Sequence, residues 1–421
     1  MLPRLRILQV GDVHYPTASK ANRAIDDKDV KFPANLKGSL SSLPIKAVIQ
    51  RIHSELSAGR VDALIFMGDL TDQGDLAGFK TCADWLMTAL ELGPGARFAS
   101  LPVGFVPGNH DVDRTLATTA GLDAKFKPLE AAMAAAGATH FPTAVPLSFA
   151  IGETGASATV HLLNSCWGCG EPENIPLEFR DAIKTAIDGV IVADPRAASV
   201  YYDRQLDTPA FDAATITTVA SAVSDCPPTS LSILVAHHNL LPQRTPRLAP
   251  YTELVNSGSL RGALVNSGRP CLYLHGHIHE DPVEIVHIGR GPPLVVISSP
   301  EASAGFNIVE VTFMRSGLPL TCEVIPFRYE AGSIRRGASQ SIPLMGERRR
   351  STDRNMAKVY AHVLEAGEVY WGELKTFAET LSTTPDDDIL AEMVELLAAD
   401  GRFQVENRDL ATDAWIVKAV V

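Results

Sequence analysis

Five short motifs, all before residue 280, contain side chains of the types that bind metal ions. They are Asp12-Val-His14, Gly68-Asp69-Leu-Thr-Asp72, Gly108-Asn109-His110-Asp111, His237-His238 and Gly276-His277-Ile-His279. Imidazole, carboxylate and amide oxygen form a hard-to-borderline ligand set, which suits Mn, Fe or Zn rather than Ca or a thiolate-bound metal. These residue types therefore predict chemistry that depends on a metal ion.

Each motif follows, after one residue at most, a hydrophobic run of the kind that forms a buried strand. The five runs are Arg6–Val10, Ala63–Met67, Val103–Val106, Ser232–Ala236 and Cys271–Leu274. Ligands of open α/β sheets collect at the carboxyl ends of the strands. Because residues i and i+2 of a strand face the same side, Asp12 and His14 can bind one ion. By the same spacing, His277 and His279 can reach one site or two adjacent ones.

The elements that would position these motifs alternate between strands and helices. Further strands are predicted at Val160–Asn164, Leu294–Ile297, Ile308–Phe313 and Thr321–Ile325. Helices are predicted at Ile45–Ala58, Leu76–Leu92, Pro128–Ala136, Leu177–Asp188 and Pro209–Val223. Early alternation followed by closely spaced strands predicts an α/β sandwich with a layered sheet core. The insertion at 15–44 either covers the site or is solvated.

Composition limits the class of protein and its partners. With 46% hydrophobic and 20% charged residues in 421, the chain has the composition of a globular protein. No apolar stretch is long enough for a transmembrane helix, and arginines interrupt the N-terminus too early for a signal peptide. We expect a cytoplasmic protein without a membrane partner. The net charge of −12 offers no general attraction to nucleic acid, so local positive charge, such as metal ions, must hold any phosphate group.

The six cysteines include one close pair, Cys166 and Cys169, in a C-x-x-C arrangement. A zinc site would need two further ligands nearby, and a thioredoxin-type motif should open a helix. This pair instead follows a predicted strand and enters a loop rich in Gly, Pro and Glu. We therefore expect two reduced thiols in a loop.

The composition changes after Phe327. Residues 326–350 contain six arginines and two glutamates, which is typical of a linker or of an arm that wraps the core. Residues 351–421 contain six basic and fourteen acidic side chains. In order, they hold three predicted helices and two predicted strands: Met356–Ala366, Trp371–Leu381, Asp387–Asp400, Arg402–Glu406 and Trp415–Val420.

This order of three helices and a hairpin is that of a winged-helix module. Its net negative charge argues against nucleic-acid binding, because contacts to phosphate dominate that affinity. The helix predicted at Asp387–Asp400 contains no lysine or arginine with which to contact DNA. We expect residues 351–421 to bind a protein partner or a second copy of the chain.

Taken together and in order, the five motifs resemble those of the calcineurin-like metallophosphoesterase family. That family has the pattern D-x-H, G-D-x-x-D, G-N-H-D/E, a histidine after a later strand, and G-H-x-H. The resemblance covers residues 5 to about 325 and implies a four-layer α/β/β/α sandwich with two metal ions. We therefore predict a catalytic domain over 1–327, an Arg-rich linker or arm over 328–350, and an acidic winged-helix-like accessory domain over 351–421.

The resemblance implies a role for each matching side chain. The implied ligands of the first metal ion are Asp12, His14 and His279. Those of the second ion are Asn109, His237 and His277, and Asp69 would bridge the two ions. His110 would lie beside the scissile phosphate and assist the leaving oxygen. Asp72 and Asp111 would orient histidines. His238 would either contact the substrate phosphate or support the ligands.

These roles describe a metal-dependent phosphoesterase. Two divalent or trivalent ions, of Mn, Fe or Zn with Mn preferred, would share a bridging hydroxide that attacks phosphorus in line. A phosphodiester of nucleotide or nucleic-acid type is the expected substrate, and nucleic acid is expected in no other role. The alternatives are a DNA repair-type exonuclease or endonuclease, a protein Ser/Thr phosphatase and a small phosphomonoesterase. An inactive scaffold or regulator that acts through residues 351–421 would lack some ligands, whereas every expected ligand type is present.

Overall fold

The computed structural model describes residues 2–15, 44–59, 61–71, 74–113, 116, 124–169, 177–194, 209–242, 254–280, 282–287, 289–346 and 353–420. Asp72, for which a role in orienting histidines was predicted, lies outside these residues. So does the 15–44 insertion except for its first and last residues.

The first sheet unites the start of the chain with the strands after residue 304. Its described strands are β1 (Arg4–Val10), β2 (Ala63–Phe66), β3 (Val103–Phe105), β10 (Gly305–Phe313), β11 (Pro319–Glu330), β12 (Ser333–Arg336) and β13 (Gln340–Pro343). β1, β2 and β3 run parallel, and β10 pairs with β1 in the antiparallel direction. The first three strands therefore end at one edge, where three of the predicted motifs begin.

The second sheet is parallel at its centre and antiparallel at both edges. Its described strands are β4 (Leu147–Glu153), β5 (Ala156–Leu162), β6 (Ser230–Val235), β7 (Cys271–His275), β8 (Val283–Val286) and β9 (Leu294–Ser298). Their order is β4-β5-β6-β7-β9-β8. All described residues of β7 and β9 are buried, as expected for strands covered on both faces.

The two sheets share one apolar cluster. Ile7 and Ile65 of the first sheet lie in it together with Val160, Ile233 and Leu272 of the second. Other buried clusters join each sheet to helices. The described helices of this part are α1 (Pro44–Ser57), α2 (Leu76–Ala89), α3 (Lys127–Ala135), α4 (Leu177–Ala193), α5 (Ala213–Asp225) and α6 (Ser257–Asn266). The fold is thus of the mixed α/β type, with several sheets and helices.

Side-chain caps explain where two helices begin. The prediction of a helix from Pro209 was wrong at its start, since Asp212 caps α5 and accepts a hydrogen bond from the N–H of Ala214 at 2.9 Å. Asp75 caps α2 in the same way through the N–H of Ala77. A short acceptor side chain satisfies N–H groups that have no partner within the helix. Among the described residues, no helix has the length and apolarity to cross a membrane.

The arginine-rich segment pairs with the first sheet over its described part. β12 and β13 both run antiparallel to β11. Arg328 donates to the carbonyl oxygens of Phe306 and Phe327 and to Asn307 Oδ1. β11 is long enough, at twelve residues, to hold both short strands along one side.

The C-terminal part contains three helices and a small sheet. They are α7 (Arg354–Ala366), β14 (Glu368–Tyr370), α8 (Trp371–Ala378), α9 (Asp387–Ala399), β15 (Phe403–Glu406) and β16 (Ile416–Ala419). β14, which the sequence did not indicate, pairs with β16 opposite β15. The rings of Trp371 and Trp415 meet edge to face, 5.4 Å apart, in the buried cluster of this part.

A network of buried charges joins the C-terminal part to the first sheet. Arg408 pairs with Glu395 of α9 and with Glu323 of β11. Arg4 of β1 also pairs with Glu395, at 3.1 Å, and with Glu310 of β10. The Glu395 side chain has no solvent exposure. Burial lowers the pKa of Arg408, but Glu395 and Glu323 together raise it, so the guanidinium stays charged in this network.

Replacing Arg408 by methionine is expected to lower the free energy of unfolding by about 3 kcal/mol. Methionine keeps the apolar length of the side chain but leaves Glu323 and Glu395 short of a positive partner. This loss of stability is at the lower end of the range for a broken buried ion pair, because Glu395 keeps its contact with Arg4. Urea denaturation measures it. The exposed Arg402→Met is the control, and equal stability of the two variants would contradict a structural role for this network.

Candidate metal centre

The loops that follow the parallel strands are joined by backbone hydrogen bonds. The N–H groups of Val13 and His14 both donate to the carbonyl oxygen of Asp69, at 3.0 and 2.8 Å. Across the second sheet, the N–H of Gly276 donates to the carbonyl oxygen of His237 at 3.0 Å. These bonds fix the spacing between motifs that are far apart along the chain.

Four predicted ligands have left-handed backbone conformations. The φ angles are 47° for His14, 48° for Asp69, 68° for His277 and 55° for His279. Such angles are uncommon outside glycine, and strained residues cluster at functional sites. The chain turns back at these residues as it leaves the strands, which directs their side chains toward one place.

The centre of the site is a buried group of carboxylate, amide and imidazole. Nε2 of His237 lies 3.0 Å from Oδ1 of Asn109 and 3.2 Å from Oδ2 of Asp69. Oδ1 of Asp12 lies 3.4 Å from Nδ1 of the same ring. The backbone N–H of His277 donates to the Asp12 carboxylate. The structure thus brings side chains from four of the motifs, and a backbone N–H group from the fifth, into contact with one another.

The contacts of the two His237 ring nitrogens show that a cation would be stabilised next to Nε2. Its Nδ1 lies 2.7 Å from the carbonyl oxygen of Met67, and this bond directs Nε2 toward two oxygen acceptors. Burial lowers the pKa of His237, but Asp69 and Asp12 raise it to about 10. The surrounding oxygens therefore stabilise a positive charge at Nε2, which either a proton or a metal ion can supply. Metal-binding histidines typically donate the N–H of their other ring nitrogen to a carbonyl oxygen, as Nδ1 can do here.

The buried carboxylates point to the same requirement. Burial raises the pKa of Asp69, but His237, His110 and His14 together hold it well below its usual range. Burial and the nearby Asp69 raise the pKa of Asp111 to about 7. Negative charge is thus concentrated in a dry region, which is costly without cations beside it.

Two more histidines present unpartnered nitrogens. Nε2 of His277 and Nε2 of His238 are buried and have no hydrogen-bond partner among the residues that the structure describes. Burial lowers the pKa of both rings well below their usual range, which favours the uncharged imidazole that binds metal ions. Ligand atoms of His237, His238 and His277 lie within 4.8 Å of one another. Imidazole nitrogens clustered in this way are donors of the kind that a metal ion uses.

The open side of the site carries the other histidines. Nε2 of His14 lies 3.3 Å from Nε2 of His279, whose side chain is 42% exposed. Oδ2 of Asp12 lies 3.8 Å from the same His279 nitrogen. The His110 ring stands edge-on to His14, with centroids 5.1 Å apart. Asp12, His14 and His279 could hold one ion, and Asn109, His237 and His277 a second, with Asp69 between them.

Supporting residues hold these loops in place. The carboxylate of Asp111 accepts the backbone N–H groups of Thr71 and Gly108, at 2.9 and 2.8 Å, so it ties two motif loops together. Nδ1 of the fully buried His238 lies 2.8 Å from Ser165 Oγ, which favours a supporting role over contact with substrate. The sequence analysis missed Ser165. The same signal, a polar residue after a predicted strand, could have identified it.

Comparison with known proteins identifies the N-terminal part. The model of the family described as calcineurin-like phosphoesterase matches residues 5–148, a span that includes Asp12, Asp69 and Asn109. No curated protein matches the sequence.

Several solved structures resemble the chain loosely. A dimetal phosphatase from Danio rerio has 11% identity and a TM-score of 0.46, over 81% of this chain and 99% of that one. Phosphopantetheinyl hydrolase from Mycobacterium tuberculosis has 17% identity and a TM-score of 0.37, over 72% and 92%. A calcineurin-like phosphoesterase from Bacillus subtilis has 10% identity and a TM-score of 0.33, over 82% and 91%. At these scores the superpositions do not specify a substrate.

The family match confirms the resemblance that the first three motifs carry. It covers the strands β1 to β3 and the loops that hold the buried carboxylates and the amide of the centre. Residues 5–148 therefore belong to the calcineurin-like phosphoesterase family, and the chain is a hydrolase of phosphoester bonds.

Proposed function

We propose that the chain is a binuclear metal-dependent phosphodiesterase whose substrate is a nucleotide or nucleic-acid type diester. One observation carries the proposal: Nε2 of His237 faces Oδ1 of Asn109 and Oδ2 of Asp69 at 3.0–3.2 Å, in a dry place that requires a cation. We propose Mn as the preferred metal ion, because the ligands are oxygens and imidazoles. A four-layer α/β/β/α sandwich around the two sheets and a cytoplasmic location are part of the same proposal.

The proposed ligands form two sets, one for each metal ion. Asp12, His14 and His279 would hold one ion at the open side, and a second would lie deeper, against His237 and its neighbours. When bound, the ions would supply Lewis acidity toward water and the phosphate oxygens. The chain's net charge of −12 makes this local positive charge the means by which an anionic substrate is held.

His110 is proposed to protonate the leaving oxygen. Its backbone N–H donates to Oδ1 of Asp69 at 2.8 Å, which fixes the residue against the centre. Its half-buried ring lies next to His14 at the open side, where a substrate would enter. A general acid at this position contributes most when the leaving alcohol is a poor leaving group.

Replacing His110 by asparagine is expected to lower kcat by about 10²-fold for a diester with an alkyl leaving group, and by less for one with a p-nitrophenol leaving group. Steady-state kinetics with both substrates measure the difference. The half-buried His362→Asn, in the C-terminal part of the chain, is the control. Equal losses for the two leaving groups would contradict proton donation by His110.

A substrate panel tests the proposed function. The full chain, supplemented with Mn, is assayed with bis-p-nitrophenyl phosphate, p-nitrophenyl phosphate, a phosphopeptide, cyclic nucleotides, and single- and double-stranded DNA. The proposal predicts a higher kcat/KM for diesters than for monoesters. Preference for the monoester or the phosphopeptide would replace it with a phosphatase. No hydrolysis of any substrate by a metal-loaded chain would support an inactive scaffold.

For the C-terminal part we propose a winged-helix-like module that binds a protein partner or a second copy of the chain. Residues 351–421 have a net charge of −8 and expose the apolar side chains of Ile389 and Leu410. Such a surface suits a basic, partly apolar partner better than nucleic acid. Sedimentation of the full chain at increasing concentration tests self-association.

A further inference from the structure

A second group of potential ligands lies behind the centre. Cys166, Cys169 and His238 have no solvent exposure, and one ligand atom from each lies within 4.8 Å of the others. Both cysteines are free thiols. Two sulfurs and one imidazole form a soft ligand set, unlike the oxygen-rich set around Asp69.

The loop that carries the cysteines is held in a tight turn. The N–H of Cys169 donates to the carbonyl oxygen of Cys166 at 3.0 Å, and Oδ1 of Asn164 accepts the N–H of Cys166 at 2.9 Å. The buried Lys125 donates to the carbonyl oxygens of Trp167 and Cys169, at 2.7 and 2.9 Å. These bonds fix the turn before any ion binds, which reduces the ordering cost of a metal site.

His238 is suited to complete the set. Ser165 Oγ lies 2.8 Å from its Nδ1, and its buried Nε2 has no hydrogen-bond partner within the described part of the chain. In zinc sites, a hydrogen bond on one ring nitrogen commonly orients the ring and sets the tautomer. The third ligand that the sequence pattern lacked is thus supplied by a residue 69 positions further along the chain.

We propose that Cys166, Cys169 and His238 bind a thiophilic divalent ion, zinc by their ligand chemistry, separate from the ions of the phosphoesterase centre. Both thiols would release their protons to solvent as two sulfur–metal bonds form. Two thiolates, a neutral imidazole and a divalent cation have no net charge, which suits a buried site. Three protein ligands leave one tetrahedral position for water or an anion.

Such an ion would hold two loops together. Cys166 and Cys169 follow β5, and His238 directly follows His237 of the buried centre. The thiol of Cys166 donates to the carbonyl oxygen of Pro107 at 3.2 Å, and it would exchange that hydrogen bond for the bond to the metal. The site would therefore fix the ends of β5 and β6 relative to one another. It does not depend on the proposed substrate.

Cobalt substitution distinguishes this site from the phosphoesterase centre. Thiolate–Co²⁺ bonds give a strong charge-transfer band in the near ultraviolet, which nitrogen and oxygen ligands do not. The full chain, reduced and stripped of metal, is titrated with Co²⁺ alone. We expect the band in the wild type and in the double variant Asp69→Asn with Asn109→Ala. We expect its loss in Cys166→Ser and Cys169→Ser, but not in the control Cys226→Ser, whose buried thiol lies elsewhere.

Two further measurements keep the proposal testable if a variant fails to fold. Zinc should slow the reaction of the wild-type thiols with a disulfide reagent by at least about 10-fold. Zinc content, measured on chain purified with added zinc, should fall in Cys166→Ser relative to Cys226→Ser. Absence of the band from the wild type would overturn the proposal, as would a band that the Asp69 and Asn109 changes abolish. Activity enters none of these readouts, so failure of this site and failure of the phosphodiesterase proposal are distinguishable.

Discussion

Replacing Asp69 by asparagine is expected to lower kcat/KM for a phosphodiester by at least about 10³-fold. Asparagine keeps the size of the side chain and can still accept the N–H of His110, but it removes the negative charge beside His237 and His14. The two ligand sets would then share no carboxylate. We expect bound Mn to fall with activity, as measured by metal content after gel filtration in limiting Mn.

The metal-free form of this variant should also be less stable than the metal-free wild type at pH 7. The pKa of Asp69 is held well below its usual range by His237, His110 and His14, so its carboxylate contributes stability to the folded protein above the unfolded-state pKa, and asparagine removes that contribution. Because Asp69 raises the pKa of the buried Asp111, relief of that repulsion should offset part of the loss. Asp62→Asn is a matched control, because Asp62 precedes β2 while Asp69 follows it. Activity retained by Asp69→Asn, with Mn still bound, would remove the bridging role.

Replacing Gly108 by alanine is expected to lower kcat/KM by about 10²-fold or more and the free energy of unfolding by about 1–3 kcal/mol. A Cβ at this position would overlap Oδ1 and the backbone nitrogen of Asp69 and would lie 2.7 Å from its Cγ. The loop of Asn109 and His110 must then move away from Asp69. Kinetics and urea denaturation of the same preparation measure the two effects.

A second glycine provides the control for this prediction. Gly262 lies within α6, where an added Cβ has open space around it. Gly262→Ala should raise the free energy of unfolding by up to about 1 kcal/mol, because alanine is the better helix former, and should leave kcat/KM unchanged. If Gly108→Ala behaved like Gly262→Ala, close contact between the two motif loops would not be needed for catalysis.

The amino-acid sequence predicted those strands whose runs are mostly apolar. β1, β2, β3, β6 and β7 are largely buried, so each appears as a predominantly hydrophobic segment followed by its motif. The edge strands β4, β8, β12, β13 and β14 were not predicted. They are short or half-exposed and owe their conformation to hydrogen bonds with a neighbouring strand, which local propensity does not describe.

The sequence by itself determined the ligand types, their order and their place after strands, because these follow from local pattern and side-chain chemistry. The match to residues 5–148 rests on the same local features. Only the tertiary structure decided that His237 faces Asn109 and Asp69 while the adjacent His238 turns toward Ser165. Only it placed His238 beside Cys166 and Cys169. The physical reason is that these contacts join residues from different strands, and their geometry depends on how the strands pair and on the strained turns at their ends.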